Sequence, residues 1–179
     1  AQIELVNKYN MEHMEPNIHE RNAVREIIFK FISRNNRIIY GGTALNEAIK
    51  QHDISQTFYN EYNFADIEFY SPDPVKDMYV LSTLIYESGI QHVKAKRARH
   101  PDTFTIFAND ACYCDASYVP PRVMRNIPVF RVSKIAYIHP HFALIDQLRI
   151  ISQPLTTADF RWKKTWNRMY RLLRAYPLI

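Results

Sequence analysis

Ile38-Ile39-Tyr40-Gly41-Gly42-Thr43-Ala44-Leu45-Asn46-Glu47-Ala48-Ile49-Lys50 runs from a short apolar stretch through a glycine pair into a helical pattern. The 179 residues contain only three glycines, so two side by side mark a place where the backbone comes very close to something. The stretch reads as a strand over Arg37 to Tyr40, a turn at Gly41 and Gly42, and a helix over Thr43 to His52 with Thr43 as its cap. Backbone N–H groups at such a strand-to-helix junction are placed to receive an anion. A tight connection with no ligand is the other reading. Neither G-x-x-x-x-G-K-[ST] nor G-x-G-x-x-G occurs, which sets aside the Walker and dinucleotide-binding loops.

Working outward, Val24, Ile27, Ile28 and Phe31 recur at i, i+3, i+4 and i+7 and predict a helix over Glu20 to Ser33. Asp53 to Asn63 is polar, aromatic and aperiodic, and reads as a loop. From residue 65 to 70 the pattern alternates: Asp66, Glu68 and Tyr70 face one side, Ile67 and Phe69 the other. Ser71-Pro72-Asp73-Pro74 ends that strand and starts a helix over Val75 to Ser88, closed by Gly89. Strands are expected at Val93 to Arg99, Thr103 to Ala108, Ala111 to Val119 and Ile135 to Ile138, with a hairpin turn at Asn109-Asp110. Helices from about His141 to Ser152 and Phe160 to Tyr176 close the chain. The order predicts an α/β (α+β) fold: a small mixed sheet flanked by helices, with a C-terminal basic amphipathic helix. We divide it into an N-terminal helical segment (1–36), a core (37–139) and C-terminal helices packed on that core (140–179).

A hydrophobic fraction of 47% with 23% charged residues is ordinary for a folded domain. No apolar run approaches the roughly 20 residues needed to cross a bilayer, and the N-terminus lacks signal-peptide order, so the expectation is an intracellular, soluble protein with no membrane partner. Cys112 and Cys114 are too few for zinc and too close for a comfortable disulfide, and are expected to be reduced, small and buried, pointing the same way. The net charge of +5 has one local source. Phe160 to Tyr176 carries Arg161, Lys163, Lys164, Arg168, Arg171 and Arg174 with no acid, leaving 17 basic against 18 acidic residues elsewhere.

Transfer of a phosphoryl group from a nucleoside triphosphate requires the phosphate charge to be neutralised and the attacking hydroxyl held in line with the leaving group. Two divalent ions held by carboxylates do both. Asp66 and Glu68 project from one face of one strand, and Asp115 in Cys114-Asp115-Ala116-Ser117 reaches the same spot if its strand is a neighbour. Without a metal, three such carboxylates repel one another and raise their own pKa values. They could equally be three unrelated surface acids. Gly-Gly-Thr, then D-x-E, then a lone Asp is nonetheless the skeleton of a metal-dependent nucleotidyltransferase.

In the C-terminal helix Trp162, Trp166, Met169, Leu173 and Tyr176 share one face, with both Trp residues expected as core anchors. Arg161, Lys164, Arg168, Arg171 and Arg174 lie opposite. Such a single-sign stripe suits a polyanion, either RNA backbone or an incoming triphosphate, against the alternatives of an ordinary solvated face or a membrane surface. His139-Pro140-His141 reads as a turn into a helix. Arg97, Arg99 and His100 are either solvated or part of a phosphate-facing surface.

Ile39-Tyr40-Gly41-Gly42-Thr43-Ala44, then Ala65-Asp66-Ile67-Glu68-Phe69-Tyr70-Ser71-Pro72-Asp73-Pro74, then Cys114-Asp115-Ala116-Ser117-Tyr118-Val119-Pro120-Pro121 resembles the catalytic poly(A) polymerases of large cytoplasmic DNA viruses, the asfarvirus, poxvirus and giant-virus group. The likeness extends through Arg125-Asn126-Ile127-Pro128, Ile138-His139-Pro140 and the basic helix, covering roughly residues 20 to 177. It implies template-independent transfer of AMP from ATP to the 3′-hydroxyl of viral mRNA, with magnesium or manganese. By the same resemblance Asp66, Glu68 and Asp115 would hold the metals and carry catalysis, Asp115 would help activate the RNA 3′-hydroxyl, and Gly41, Gly42 and Thr43 would contact the triphosphate. Arg161, Lys164, Arg168 and Arg171 would meet RNA or triphosphate. A second copy or a processivity subunit is a further expected partner, and the host cytoplasm, viral factory or virion the expected location. The family usually has Asp where this chain has Glu68, and its members are longer, with further domains after the core. A catalytically weakened homologue acting as an RNA-binding or scaffold subunit, and a nucleotidyltransferase with another acceptor, are the alternative readings.

Overall fold

In a computed structural model, which describes residues 2–14, 16–60, 62–152 and 161–178, the chain opens with α1 (Gln2–His13) and α2 (Ile18–Arg34). Asn17 starts α2, its Oδ1 accepting the His19 and Glu20 N–H groups at 3.0 Å. Val24, Ile28, Phe31 and Ile32 form the buried stripe of α2, the periodic face expected from sequence with Ile32 in place of Ile27. Then come β1 (Ile38–Tyr40), α3 (Gly41–Lys50), a 3₁₀ turn at Ile54–Gln56, β2 (Ile67–Ser71) and α4 (Pro74–Glu87). A run of strands, β3 (Val93–Arg97), β4 (Thr103–Ala108) and β5 (Ala111–Tyr118), leads to α5 (Pro121–Met124), β6 (Val129–Val132), β7 (Ile135–Ile138), α6 (Pro140–Ile151) and α7 (Trp162–Ala175). Phe160, expected to open the last helix, lies outside the described residues.

The strands form one mixed sheet of seven in the order β3-β4-β5-β2-β1-β7-β6. β2 runs parallel to β5 and β1 parallel to β7, while the other neighbours are antiparallel. The alternation in β2 places Ile67 and Phe69 in the core at 0% exposure and leaves Glu68 and Tyr70 on the other face. Phe69 meets Phe31 of α2 with ring centroids 6.5 Å apart, and α4 packs against α2 and against β2 to β5. α3, α6 and α7 pack on one another, with α3 also on β1 and β2.

The Ser71-Pro72-Asp73-Pro74 signal has a structural basis. Asp73 caps α4 by accepting the Lys76 N–H at 3.1 Å, and Pro74 occupies the first helical turn, where a missing N–H costs nothing. Asp77, buried one turn on, takes a bidentate pair from Arg37 and a hydrogen bond from the Ser71 hydroxyl at 2.6 Å. The entry to β1, the end of β2 and the start of α4 are thereby joined at one carboxylate.

Several expectations are corrected. α3 begins at Gly41 with Tyr40 as its N-cap and no side-chain cap, so Thr43 is not the cap; its hydroxyl donates instead to the Asp66 carbonyl at 3.2 Å. β6 and α5 were not foreseen. The β6–β7 hairpin turns through Ser133 (φ 48°) and Lys134 (φ 71°), a pair without the Asn, Asp or Gly that marks such a two-residue turn in sequence. By contrast Asn109 (φ 45°) and Asp110 (φ 61°) form the β4–β5 turn that their identities predict. The buried stripe of α7 is Thr165, Met169 and Leu172, and Trp166 is 56% exposed rather than a core anchor. Both stripes satisfy helical spacing; the one adopted turns Arg168 and Arg171 onto the chain after α3. Among the described residues no helix is long and apolar enough to cross a membrane.

Candidate active site

Four ladders align five residues across the sheet. Tyr40 of β1 is opposite Glu68 of β2, Glu68 opposite Asp115 of β5, Asp115 opposite Thr105 of β4, and Thr105 opposite Lys96 of β3. Residues directly opposite one another project from the same face, so Glu68 and Asp115 stand side by side on the face away from Ile67 and Phe69. Asp66 lies two residues before Glu68, just outside the start of β2, and completes the group. The Thr105 hydroxyl donates to Asp115 Oδ1, leaving Oδ2 as the open acceptor.

The glycine pair closes over this group. Gly41 has φ +67°, and a Cβ there would sit 1.8 Å from Glu68 Oε2. The Gly42 N–H donates to that same oxygen at 3.0 Å. Only residues without a side chain allow the backbone to approach the carboxylate so closely. The Gly42 N–H, expected from the sequence to receive a triphosphate oxygen, receives the Glu68 carboxylate here.

The structure also brings in Cys112. The β4–β5 ladder shifts register between Ile106 and Phe107, so Cys114 is opposite Ile106 while Cys112 is opposite Phe107. Cys114 is fully buried in the core and Cys112 is half-buried on the acidic face, beside Asp66. The two cysteines therefore do not point the same way, because the bulge at Tyr113 flips one of them. Burial, followed by the charges of Asp66 and Asp115, pushes the Cys112 thiol up to about 12, so it stays protonated.

Two of the three carboxyls, Asp66 and Glu68, are pushed up by burial first and by the neighbouring charge. Asp66 is exposed by surface area, yet its carboxyl is crowded: desolvation first, then the Asp115 charge, raises its pKa, against Arg25 and Lys164. Glu68 is raised by desolvation first and by Asp115, against the Gly42 N–H and Arg168. A carboxyl held above its unfolded pKa binds its proton more tightly when folded. Its cost to stability is absent below the unfolded value and develops as pH rises through the folded one. Glu68→Gln keeps an acceptor for Gly42 and removes the charge. It is expected to raise Tm by roughly 2–4 °C at pH 7 without divalent ions, with the gain fading as pH falls into the ordinary carboxylate range. An unchanged or lower Tm at pH 7, read by thermal unfolding, would contradict this electrostatic account.

Positive charge enters from α7. The guanidinium of Arg168 donates to the Tyr59 hydroxyl and lies 4.8 Å from the Phe58 ring centroid. It is also close enough to Gly42 that a Cβ there would meet Tyr59 Oη at 2.7 Å and Arg168 Nη2 at 3.0 Å. The pKa of Lys164 is lowered by desolvation first and by Arg168 and Arg161, with Glu68 and Asp66 opposing; it therefore lies between the basic stripe and the acids. Arg171 is engaged with the chain itself, donating to the Gln56 and Thr57 carbonyls at 2.7 and 3.2 Å. Arg161 opens α7 on the exposed side. Of the four basic residues expected at the site, Lys164 and Arg168 are thus the two brought to the acids and glycines.

Tyr59, Phe58 and Asn46 were missed from the sequence. Asn46 Oδ1 accepts the Phe58 and Tyr59 N–H groups at 2.8 and 3.1 Å, fixing an aperiodic loop from the middle of α3 so that its rings receive Arg168. The only signal was the density of aromatic and amide residues in that loop. Phe58, Tyr59, Asn63, Lys164 and Arg168 line a recess of about 230 Å³.

Among the described residues no three His, Cys, Asp or Glu side chains are already drawn together as a metal cage. The donor set nevertheless fits a hard divalent cation: three carboxylates on adjoining positions, with oxygen as the ligand atom.

Comparison with known proteins agrees with this architecture. The profile described as poly(A) polymerase catalytic subunit matches residues 26–157. The chain is 48% identical over 167 residues to a protein of Acanthamoeba polyphaga mimivirus described as a candidate poly(A) polymerase catalytic subunit, covering 93% of this chain and 29% of that one. A protein of African swine fever virus (strain Badajoz 1971 Vero-adapted) with the same description is 29% identical over 180 residues, covering 97% of this chain and 38% of the relative. The crystal structure of the Megavirus polyadenylate synthase superposes with a TM-score of 0.95 at 46% identity, covering 99% of this chain and 36% of that one. The chain thus spans between about three and four tenths of the length of these proteins.

Proposed function

The chain belongs to the poly(A) polymerase catalytic subunit family, and from that membership we propose that it is the adenylate-transferring core, moving AMP from ATP to the 3′-hydroxyl of an RNA. The observation that carries this reading is the register of Glu68 with Asp115, with Asp66 alongside and the Gly42 N–H on the Glu68 carboxylate. Asp66, Glu68 and Asp115 would hold magnesium or manganese, whose bound charge would offset that of the phosphates and of the leaving pyrophosphate.

The remaining roles belong to the chain's own groups. Arg168 and Lys164 supply fixed positive charge beside Gly42 and Thr43, where the β- and γ-phosphates of ATP would lie. Phe58 and Tyr59 add aromatic faces to the same recess. Asp115 Oδ2, with Oδ1 held by Thr105, is the oxygen that would accept the proton of the incoming 3′-hydroxyl. Glu68 has a double part: as it bonds to Gly42 it covers the N–H that a triphosphate oxygen would use, so nucleotide entry requires its carboxylate to move off that N–H.

ATP incorporation onto a short RNA primer with magnesium or manganese tests the proposal. Growth of the primer by the parent chain that Asp66→Ala abolishes is the expected result. Growth that survives Asp66→Ala at the parent rate, or a parent that binds ATP and RNA yet adds nothing, would overturn it, the latter in favour of a binding or scaffold role.

A further inference from the structure

The row of residues that defines the acids continues past them to the edge of the sheet. From Asp115 the ladder runs to Thr105 and on to Lys96, and β3 is the outermost strand. Lys94 and Lys96 alternate onto the acidic face and are exposed, while Arg97 is opposite Phe104 and belongs to the other face. Lys96 lies over the Phe107 ring, 4.4 Å from its centroid, and Lys94 is ion-paired with Asp110 at 2.6 Å. Two basic regions therefore flank the acids: Arg168 and Lys164 on the α3 side, and Lys94 and Lys96 on the β4–β3 side.

In-line displacement decides what each region holds, because the attacking hydroxyl must approach from the side opposite the leaving pyrophosphate. The glycine pair and Arg168 are on the α3 side, so the acceptor comes in over Asp115 and β4. Resting on the adenylate-transfer reading above, we propose that the terminal nucleotides of the acceptor RNA run across β5, β4 and β3, with Lys94 and Lys96 on its phosphates and Phe107 as a face for a base. Two strand spacings separate Asp115 from β3, about 10 Å. At a stacked rise of about 3.4 Å per nucleotide this is about three nucleotides from the reacting end. A basic track beside an aromatic face is the usual means of holding single-stranded nucleic acid without reading its sequence. The basic stripe of α7 is then assigned to the triphosphate, and the acceptor is assigned to a strand.

The test compares the 179-residue parent chain, Lys94→Ala/Lys96→Ala and Arg168→Gln for binding of a labelled oligoadenylate, followed by anisotropy across a salt series, and for ATP binding. The double variant is expected to bind RNA roughly tenfold more weakly, with the log–log salt slope smaller by about 0.7 for each lysine, and to bind ATP like the parent. Arg168→Gln is expected to lose ATP affinity and keep the RNA slope. A double variant with parental RNA affinity and slope overturns the acceptor path while leaving adenylate transfer standing. A parent that binds ATP but no RNA overturns both. Photo-crosslinking from 4-thiouridine near the 3′ end supplies the location: adducts within residues 93–108 are expected, and adducts confined to residues 161–178 place the RNA on α7 instead.

Discussion

Asp115→Asn is expected to lower the rate constant for adenylate transfer by about 1000-fold or more while changing ATP affinity by less than about fivefold. The asymmetry follows from where the residue sits. Asp115 is on the side of the acid group away from the glycines, its Oδ1 held by Thr105, so it faces the acceptor rather than the triphosphate cradle formed by Gly42, Thr43, Lys164 and Arg168. An amide keeps the volume and a hydrogen bond to Thr105, and it removes both a metal-ligating charge and the acceptor for the 3′-hydroxyl proton. Single-turnover incorporation with saturating ATP isolates the step. A rate within tenfold of the parent would show that Asp115 is not at the reacting centre.

Gly41→Ala is expected to lower the rate on the order of 100-fold, by a different route. The backbone at this position is left-handed, φ +67°, which costs a non-glycine residue about 1–2 kcal/mol. The added Cβ would also lie 1.8 Å from Glu68 Oε2 and 2.5 Å from its Cδ, so the carboxylate must leave the Gly42 N–H. Displacing a metal ligand by about 1 Å can cost on the order of 100-fold in rate, and the strain should lower Tm by roughly 3–6 °C. The clash with Glu68 separates from the backbone strain in a double-mutant cycle: Gly41→Ala combined with Glu68→Ala should recover part of the stability, because the clashing group is gone. Additive effects, or a Gly41→Ala protein with parental Tm and activity, would show that the glycine is not required by its contact with Glu68.

The strand, glycine pair and helix were legible in the sequence because each is a local signal. Residues 38–40 are apolar, a glycine-poor chain places two glycines together, and the alternation of 66–70 assigns Glu68 and Ile67 to opposite faces. The meeting of Glu68 with Asp115 was not local. It depends on β2 pairing in parallel with β5 across the two intervening strands, and the sequence could state it only as a condition. Cys112 changed sides for a reason no period reveals, the bulge at Tyr113. β6 was hidden because its turn uses Ser133 and Lys134 in left-handed conformations. The contribution of Arg168 was half visible: its charge could be read, but its partners Tyr59 and Phe58 lie in a loop without periodicity, ordered by one Asn46 side chain. Trp166 misled because the apolar spacing of α7 admits two stripes one residue apart, and burial of Thr165 and Leu172 chose between them.

Manganese binding in the presence of ATP, read from the loss of the free-ion EPR signal, tests the central claim that these carboxylates form a metal–triphosphate site. The parent chain is expected to take up manganese with ATP, and Asp66→Ala is expected to weaken that uptake by at least tenfold, on the scale of removing one charged ligand from a hard-cation site. Uptake by Asp66→Ala equal to that of the parent would place the metal elsewhere and contradict the account.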